Sequence, residues 1–583
     1  MININTLTRL KVPALLMLLI AAGVVTVTAR QAQSTSPPAP TPAPVPAGQV
    51  ATPPAPAAAQ APAAAPVAPD LKAYRDAIAV KDPTAKLAAL RKYQADFPLS
   101  GNVEAADTQI LDVLLANWPD RLKEITTAFD TVIGNTPVSS PESRIAAATK
   151  VIEKGLLLDK AEAIVAASLK EADRNYQLAR ARTIETQGLI ALGKGDATGA
   201  EKAFKDALAV NVTLTRSMIE LAKIEAKRGN DKVAIDYYMN AAVIGGKLKI
   251  ADDDALRALY KKAHGSDAGL DAAIDKVYAE KLPNPAKPTP YKPTAARSDR
   301  LVLAEMFTGA GCPPCVSADL ALDAMLERYP ADAIVAIAYH ANIPQPDPMV
   351  VSGGEVRRKF YGVNGVPTIE IDGMAKVGGG GREDAPHTYA GPGYVPTIDR
   401  ELEVPAKAAV TVHASSDGAK IKVTATASKV DPVAMVIPPP PGGGAGTATA
   451  GPRLQIVLAE RELRFTGENN VRFHTMVVRG VAGENGGGFA LNATGETTAE
   501  YTFDLAAIKA DLVKTLADEM VKRRKTEETA GRAPGDYRAE NHAMVDIDPT
   551  QLVVVAFVQD ANKNILQAAR FDLPGAKPAG GKR

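Results

Sequence analysis

The sequence predicts a protein of several domains: helical repeats first, an α/β domain next and an antiparallel β-sandwich-like domain last. Its 583 residues are too many for a single hydrophobic core. Two proline-rich segments divide the chain, at residues 30–69 and 283–298. The spacing of apolar residues also changes along the chain, from helical periodicity to strict alternation. That change is typical of a passage from helices to half-buried strands.

Residues 1–29 have the pattern of an export signal or an N-terminal anchor. Arg9 and Lys11 precede an uncharged apolar run at residues 12–25, and small residues follow. We therefore expect the mature chain outside the cytoplasm, in a bacterial periplasm or cell envelope, with membrane contact only through a possible anchor. Residues 30–69 are mostly Ala, Pro, Ser, Thr, Val, Gly and Gln, and they predict a disordered linker.

Residues 70–282 predict helices, because Leu, Ala and Ile recur at helical spacing throughout. Two later segments repeat at an interval of 34 residues, which separates Gly195 from Gly229 and Phe204 from Tyr238. A helix–turn–helix unit of this length with glycine at the turn resembles the tetratricopeptide repeat. The resemblance implies a surface for a protein partner, and a helical spacer is the alternative.

After the second linker, residues 299–400 alternate between strand-like and helix-like segments. Apolar runs at residues 300–307 and 333–340 predict buried strands, and a helix is predicted between them. That helix is expected to begin at a Cys-Pro-Pro-Cys motif, which contains the only two cysteines of the chain. A further helix and a strand at residues 363–373, entered through a Val-Pro pair, complete the segment.

This order of elements and motifs resembles the thioredoxin fold, and in particular the exported TlpA/ResA-type thiol–disulfide oxidoreductases. The resemblance implies that Cys312 attacks a substrate and that Cys315 resolves the mixed disulfide. It also implies that Val366, a cis Pro367 and Thr368 bind the substrate peptide. The expected partners are proteins with thiols or disulfides, and neither a cofactor nor a metal is expected.

The sequence departs from this family near the first cysteine. The usual tryptophan before Cys312 is Gly311, and the buried carboxylate of the family aligns with Met306. Glu305 is the neighbouring residue, and neighbours on a strand point to opposite faces. Either a bulge turns Glu305 inward, or the proton acceptor is missing. Cys312 itself is expected at the helix N-cap, with both prolines in the first helical positions.

Other functions remain open for the cysteine pair. The domain could be a non-enzymatic binding scaffold with an inert disulfide. Alternatively, Cys312, Cys315 and His340 could bind copper, since thiolate and imidazole suit that metal. A net charge of +1 gives no reason to expect nucleic-acid binding.

Residues 401–575 predict the β-sandwich-like domain, because polar and apolar residues alternate in most of its segments. A charged helix at residues 505–525 interrupts the strands, and residues 560–564 predict a hairpin turn. His474 is expected at the surface or in a cross-strand position. Residues 576–583 predict a disordered tail.

Overall fold

A computed structural model describes the chain in the following segments: residues 68–136, 140–171, 177–246, 248–376, 378–435, 451–529, 544 and 546–574. The expected export signal, nearly all of the first linker and the C-terminal tail lie outside them. The described residues belong to one compact unit, residues 67–583. Within them, no helix combines the length and the apolar character needed to cross a membrane.

The first part of this unit is an array of helices, which agrees with the predicted helical region. Its members are α1 (Pro69–Ala79), α2 (Pro83–Asp96), α3 (Val103–Asn117), α4 (Leu122–Asn135), α5 (Pro141–Ile152), α6 (Leu158–Glu171), α7 (Gln177–Gly193), α8 (Ala197–Val210), α9 (Thr215–Lys227), α10 (Asp231–Ile244), α11 (Ile250–His264) and α12 (Leu270–Lys281).

The two repeated segments form two helix pairs, α7 with α8 and α9 with α10. Gly195 and Gly229 end the first helix of each pair, with φ angles of 81° and 80° that favour glycine. Phe204 and Tyr238 are buried between the helices. Gly188 of α7 faces Phe204, and a Cβ there would lie 2.6 Å from the ring. The small residue therefore allows the two helices to approach.

The second part of the unit is built around strands and a few helices. The strands are β1 (Val302–Thr308), β2 (Ile334–His340), β3 (Thr368–Ile371), β4 (Met374–Lys376), β5 (Ala409–Ser416), β6 (Lys420–Ser428), β7 (Arg453–Arg464), β8 (Phe473–Val481), β9 (Phe489–Ala490), β10 (Thr497–Asp504), β11 (Leu552–Gln559) and β12 (Ile565–Asp572). The helices are α13 (Cys315–Arg328), α14 (Ser352–Tyr361), α15 (Ala385–Ala390), α16 (Tyr394–Glu401) and α17 (Leu505–Thr529).

Nine strands form one mixed sheet in the order β12-β11-β7-β8-β2-β1-β3-β4, with β9 paired to β7. β1 and β2 are parallel, as expected for strands joined through the crossover helix α13. β3 and β4 are antiparallel to their neighbours. β8 joins the other edge of β2 in parallel, through Ala338 and Val477.

The two faces of the β1–β2 region have separate cores. Val302, Ala304 and Met306 point to the face covered by α13, α15 and α16. Leu303 and Phe307 point to the opposite core, which also contains residues of the C-terminal strands. Successive residues of β1 thus enter two different cores, which explains why every residue of the strand is buried.

The C-terminal strands differ from the predicted separate β-sandwich. Five of them, β7, β8, β9, β11 and β12, belong to the sheet of the α/β segment, while β5, β6 and β10 form a three-stranded antiparallel sheet. This smaller sheet packs its buried face on the larger one. The predicted hairpin turn is present, because β11 and β12 pair on either side of residues 560–564.

The proline-rich segment at residues 283–298 is packed against the α/β segment. Asn284 donates a hydrogen bond from Nδ2 to the carbonyl of Leu320, at 2.8 Å. The Tyr291 amide donates to the carbonyl of Arg328, at 2.9 Å. Both acceptors lie on α13, so this segment attaches the helical array to the helix that follows the cysteine pair.

Candidate functional site

The helix after the cysteine motif begins two residues later than predicted. α13 starts at Cys315, and Pro314 is its N-cap. Cys312 precedes the helix in a turn that is closed by a hydrogen bond from the Cys315 amide to the Cys312 carbonyl, at 3.1 Å. The two prolines lack N–H groups and occupy this turn. Cys312 therefore lies near the positive end of the helix without belonging to it.

The predicted site residues are brought together. Cys312 and Cys315 form a disulfide, and the Val366–Pro367 peptide bond is cis, as predicted. Cys312 Sγ lies 3.7 Å from the Val366 carbonyl oxygen. Thr368 begins β3, and its hydroxyl donates to the Gly365 carbonyl at 3.0 Å.

Gly311 occupies a position with no room for a side chain. A Cβ added there would lie 2.6 Å from Cβ of Gln345. Gln345 belongs to the loop between β2 and α14, which also contains a cis bond between Ile343 and Pro344. This loop fills the space next to Gly311, so the tryptophan of the resembling family could not be accommodated in this arrangement.

Glu305 points away from the cysteine pair. β1 keeps a regular register with both neighbours, and no bulge turns the carboxylate inward. Glu305 accepts hydrogen bonds from Arg357 at 2.8 Å, from Tyr361 at 2.6 Å and from Tyr339 at 3.0 Å. Gln559 of β11 accepts from Arg357 at 2.9 Å, which extends the network to the C-terminal strands. This buried network is structural.

A different carboxyl group lies beneath the cysteine pair. Asp319 follows Cys315 by one helical turn, so the two share a face of α13. Thr308 donates to Asp319 Oδ1 at 2.8 Å, whereas Oδ2 is buried without a hydrogen-bond partner. Burial raises the pKa of Asp319 from 3.8 to about 7, although Thr308 and His340 oppose the rise. The strand position that aligns with the buried carboxylate of the resembling family is Met306, whereas the carboxyl of Asp319 lies on the helix of the cysteine pair.

A second buried carboxylate fixes the loop that carries Cys312. Asp347 Oδ2 lies 2.7 Å from Nδ1 of His340 and accepts the Ala310 amide at 2.6 Å. Burial works to raise the pKa of Asp347, but the charge and hydrogen bond of His340 hold it below its usual range. His474, expected at the surface or in a cross-strand position, lies opposite Leu463 of β7 and is buried, with its ring 5.1 Å from that of His340.

These polar side chains border a small cavity of about 10 Å³, close to the volume that one water molecule needs. Asp319, Asp323 and His340 line it together with His474 and Thr475. Among the residues that the structure describes, no group of three or more His, Cys, Asp or Glu side chains is arranged to hold a metal ion.

The cysteine pair is closed to solvent. Cys312 is 1% exposed and Cys315 is fully buried, although the two prolines between them are exposed. A glycine run at residues 378–381 forms one wall, where the Gly380 amide donates to the Pro314 carbonyl at 2.8 Å. The turn between β7 and β8 forms another, where Asn469 Nδ2 donates to the Cys312 carbonyl at 3.2 Å.

Three of these residues were not identified from the sequence. Asp319 had a usable signal, because it shares a helical face with Cys315 and Leu322 and should therefore be buried. Asp347 and Asn469 had none, since both belong to loops whose contacts join distant parts of the chain.

No protein-family model matches the chain, and no curated protein sequence matches it. Solved structures do show similarity over roughly a third of it. MamA RS-1 ArsTM double mutant is 16% identical, covering 30% of this chain and 89% of that one, with a TM-score of 0.21. A tetratricopeptide repeat protein from Parabacteroides merdae is 19% identical, covering 38% and 79%, with a TM-score of 0.24. Pseudomonas aeruginosa pilF is 17% identical, covering 36% and 99%, with a TM-score of 0.23. Scores this low define neither a shared fold nor a shared activity.

Proposed function

We propose that this chain carries out thiol–disulfide exchange with protein substrates outside the cytoplasm. The observation that carries the proposal is the position of the Cys312–Cys315 pair beside the cis Val366–Pro367 bond, with Cys312 Sγ 3.7 Å from the Val366 carbonyl. The pair also precedes a helix, whose positive end stabilises a thiolate. The expected export signal supports an oxidising compartment, in which disulfides persist.

In the reducing direction, the Cys312 thiolate attacks one sulfur of a substrate disulfide. The substrate S–S bond breaks, a mixed disulfide forms, and one substrate thiolate leaves. Cys315 then attacks Cys312 Sγ, which releases the second substrate thiolate and forms the Cys312–Cys315 disulfide. Two electrons pass from the pair to the substrate, and the reverse sequence oxidises a substrate dithiol.

Asp319 is suited to the proton transfer of the second step. The Cys315 thiol must lose its proton before it attacks, and Asp319 lies one turn away on the same helix face. A carboxyl with a pKa of about 7 can accept a proton near neutral pH. Its unpartnered Oδ2 leaves one oxygen available.

We infer a second role for the helical array, as the surface that binds a protein partner. Stacked helix pairs present an extended surface to a partner. The repeated α7–α8 and α9–α10 pairs support this inference. A pull-down of the full mature chain tests it, against a variant with charge reversals on the exposed faces of these helices. Equal capture by both chains would contradict it.

An inert structural disulfide is the rival function, and one observation favours it. Both sulfurs are buried in the disulfide form, so a protein substrate cannot reach Cys312 in this conformation. A scaffold of this kind would bind partners through other surfaces and would never exchange disulfides.

A glutathione redox titration of the full mature chain, read by thiol alkylation, separates the two functions. We expect a reversible two-electron couple. We also expect Cys315→Ser to trap a mixed disulfide at Cys312, whereas Cys312→Ser traps none. A bridge that stays closed at the reducing end, together with no trapping by Cys315→Ser, would contradict the proposed exchange.

A further inference from the structure

One wall of the redox site belongs to a segment that the helical array holds from its other side. We call residues 465–472, the turn between β7 and β8, the cover turn. On its inner side, the Asn469 amide donates to the Ala310 carbonyl at 3.0 Å. The Asn469 side chain donates to the carbonyls of Gly309 and Cys312, at 3.3 and 3.2 Å. The cover turn therefore binds the backbone of the loop that carries Cys312.

On its outer side, the cover turn contacts α10. Asn470 Nδ2 donates to the carbonyls of Val243 and Ile244, at 3.0 and 3.1 Å. These carbonyls lie in the last turn of α10, where the helix leaves such groups without intrahelical partners. Asn470 adopts a left-handed conformation, with a φ of 64°. The two adjacent asparagines therefore have different partners. Asn469 contacts the loop that carries Cys312, and Asn470 contacts the helical array.

The cover turn also contacts α12 through charged groups. Asp275 pairs with Arg472 at 2.6 Å and with Arg464, at the end of β7, at 2.6 Å. Tyr278 of α12 donates from its hydroxyl to the Asn470 carbonyl and accepts from the Arg472 amide, both at 3.4 Å. Side chains of α12 thus bind the last residues of the cover turn and the strand residue that precedes it.

The same tyrosine reaches the opposite wall of the site. Arg382, which follows the glycine run, donates to the Tyr278 hydroxyl at 2.9 Å and to the Leu282 carbonyl at 2.8 Å. A single residue of α12 therefore contacts segments from both walls that close over the cysteine pair. A movement of α12 relative to the sheet would disturb both walls together.

We propose that the cover turn is an autoinhibitory element, held over the Cys312–Cys315 pair by α10 and α12, so that displacement of these helices exposes Cys312. The inference rests on the proposed function, since it concerns access to the same site. It assigns the helical array a regulatory role: a partner that moves its last helices admits substrate to the redox pair.

The test is the rate at which excess dithiothreitol reduces the disulfide in the full mature chain. Reduction converts the bridge to two thiols while dithiothreitol closes to its cyclic disulfide, and alkylation counts the thiols. The double variant Asp275→Ala/Tyr278→Phe removes the ion pairs and hydrogen bonds that side chains of α12 make with the cover turn, and we expect it to be reduced about tenfold faster, as for a local opening made easier. Asp253→Ala is the control, because it breaks a salt bridge of α11 with Arg257 and leaves the cover turn intact.

A second variant, Asn469→Ala, removes the two side-chain hydrogen bonds on the inner side of the cover turn without touching the helical array. We expect it to accelerate reduction as well. Circular dichroism melting curves establish that each variant keeps its fold. Wild-type rates in both folded variants would overturn the proposal. That outcome is distinct from failure of the proposed function, which the glutathione titration and mixed-disulfide trapping measure independently of the rate of access.

Discussion

Replacing Asp319 with asparagine should stabilise the protein relative to the wild type, and this advantage should grow as the pH rises. In the folded chain the pKa of this carboxyl is about 7, and the ordinary value is 3.8. Between these values the folded state keeps a proton that the unfolded state has lost. The folded state therefore binds more protons, and the free energy of unfolding falls as the pH rises through this window. Asparagine has no such proton and keeps an acceptor for Thr308.

The magnitude follows from the two pKa values. Each pH unit of the window is worth about 1.4 kcal/mol, so the buried carboxyl costs as much as about 4 kcal/mol above pH 7. Part of that cost is already present at pH 5. The stability advantage of Asp319→Asn over the wild type should therefore grow by roughly 2–3 kcal/mol between about pH 5 and about pH 8.

Urea unfolding of the oxidised chain at these two pH values, followed by circular dichroism, measures the effect. Asp417→Asn is a control without this pH dependence, because backbone N–H groups of Lys420 and Ala419 lower the pKa of Asp417 from its ordinary 3.8. Its stability contribution is fully present above the ordinary pKa and is lost only at lower pH, so any stability that this variant loses relative to the wild type should be the same at both pH values. An advantage of Asp319→Asn that stays constant between the two pH values would refute the assignment of a neutral buried acid.

Two further predictions concern the junction between the α/β segment and the C-terminal strands. Gly373→Ala would place a Cβ against the Lys563 carbonyl, whereas Gly418→Ala has a similar positive φ in open space; we expect the first to cost at least about 2 kcal/mol more in urea unfolding. Equal costs of the two substitutions would show that the turn of Gly373 does not pack against the turn that contains Lys563. Arg357→Met leaves Glu305 buried without its counter-ion and should cost about 3–5 kcal/mol, measured in the same way. Adding Glu305→Leu should restore much of that loss, and a double variant as unstable as the single one would contradict the pairing.

Local patterns in the sequence predicted the elements of the fold well. The helical spacing before residue 282, the strand on either side of the cysteine helix and the hairpin turn at residues 560–564 are all present. The cis Val366–Pro367 bond also agrees with the prediction. Each of these features depends on residues that are close in the chain, or on a motif whose spacing is fixed.

The pairing of β2 with β8 could not be predicted, because alternation describes the faces of a strand and not its neighbour. Its residues, such as Ala338 and Val477, are far apart in sequence. The contacts of the cover turn could not be predicted for the same reason, because its asparagines contact residues more than a hundred positions away. The burial of His474 follows from that pairing, since β8 lies inside the sheet and not at a surface.

The continuous sheet has a consequence for dividing this protein into fragments. β2 has β1 on one side and β8 on the other, and β8 is contributed by residues 473–481. A fragment ending near residue 400 would expose the free N–H and C=O groups of β2 along a flat apolar strand. Such a strand recruits other chains by edge-to-edge pairing. The C-terminal segment therefore protects the α/β segment from self-association, and proteolysis between them would generate an aggregation-prone piece.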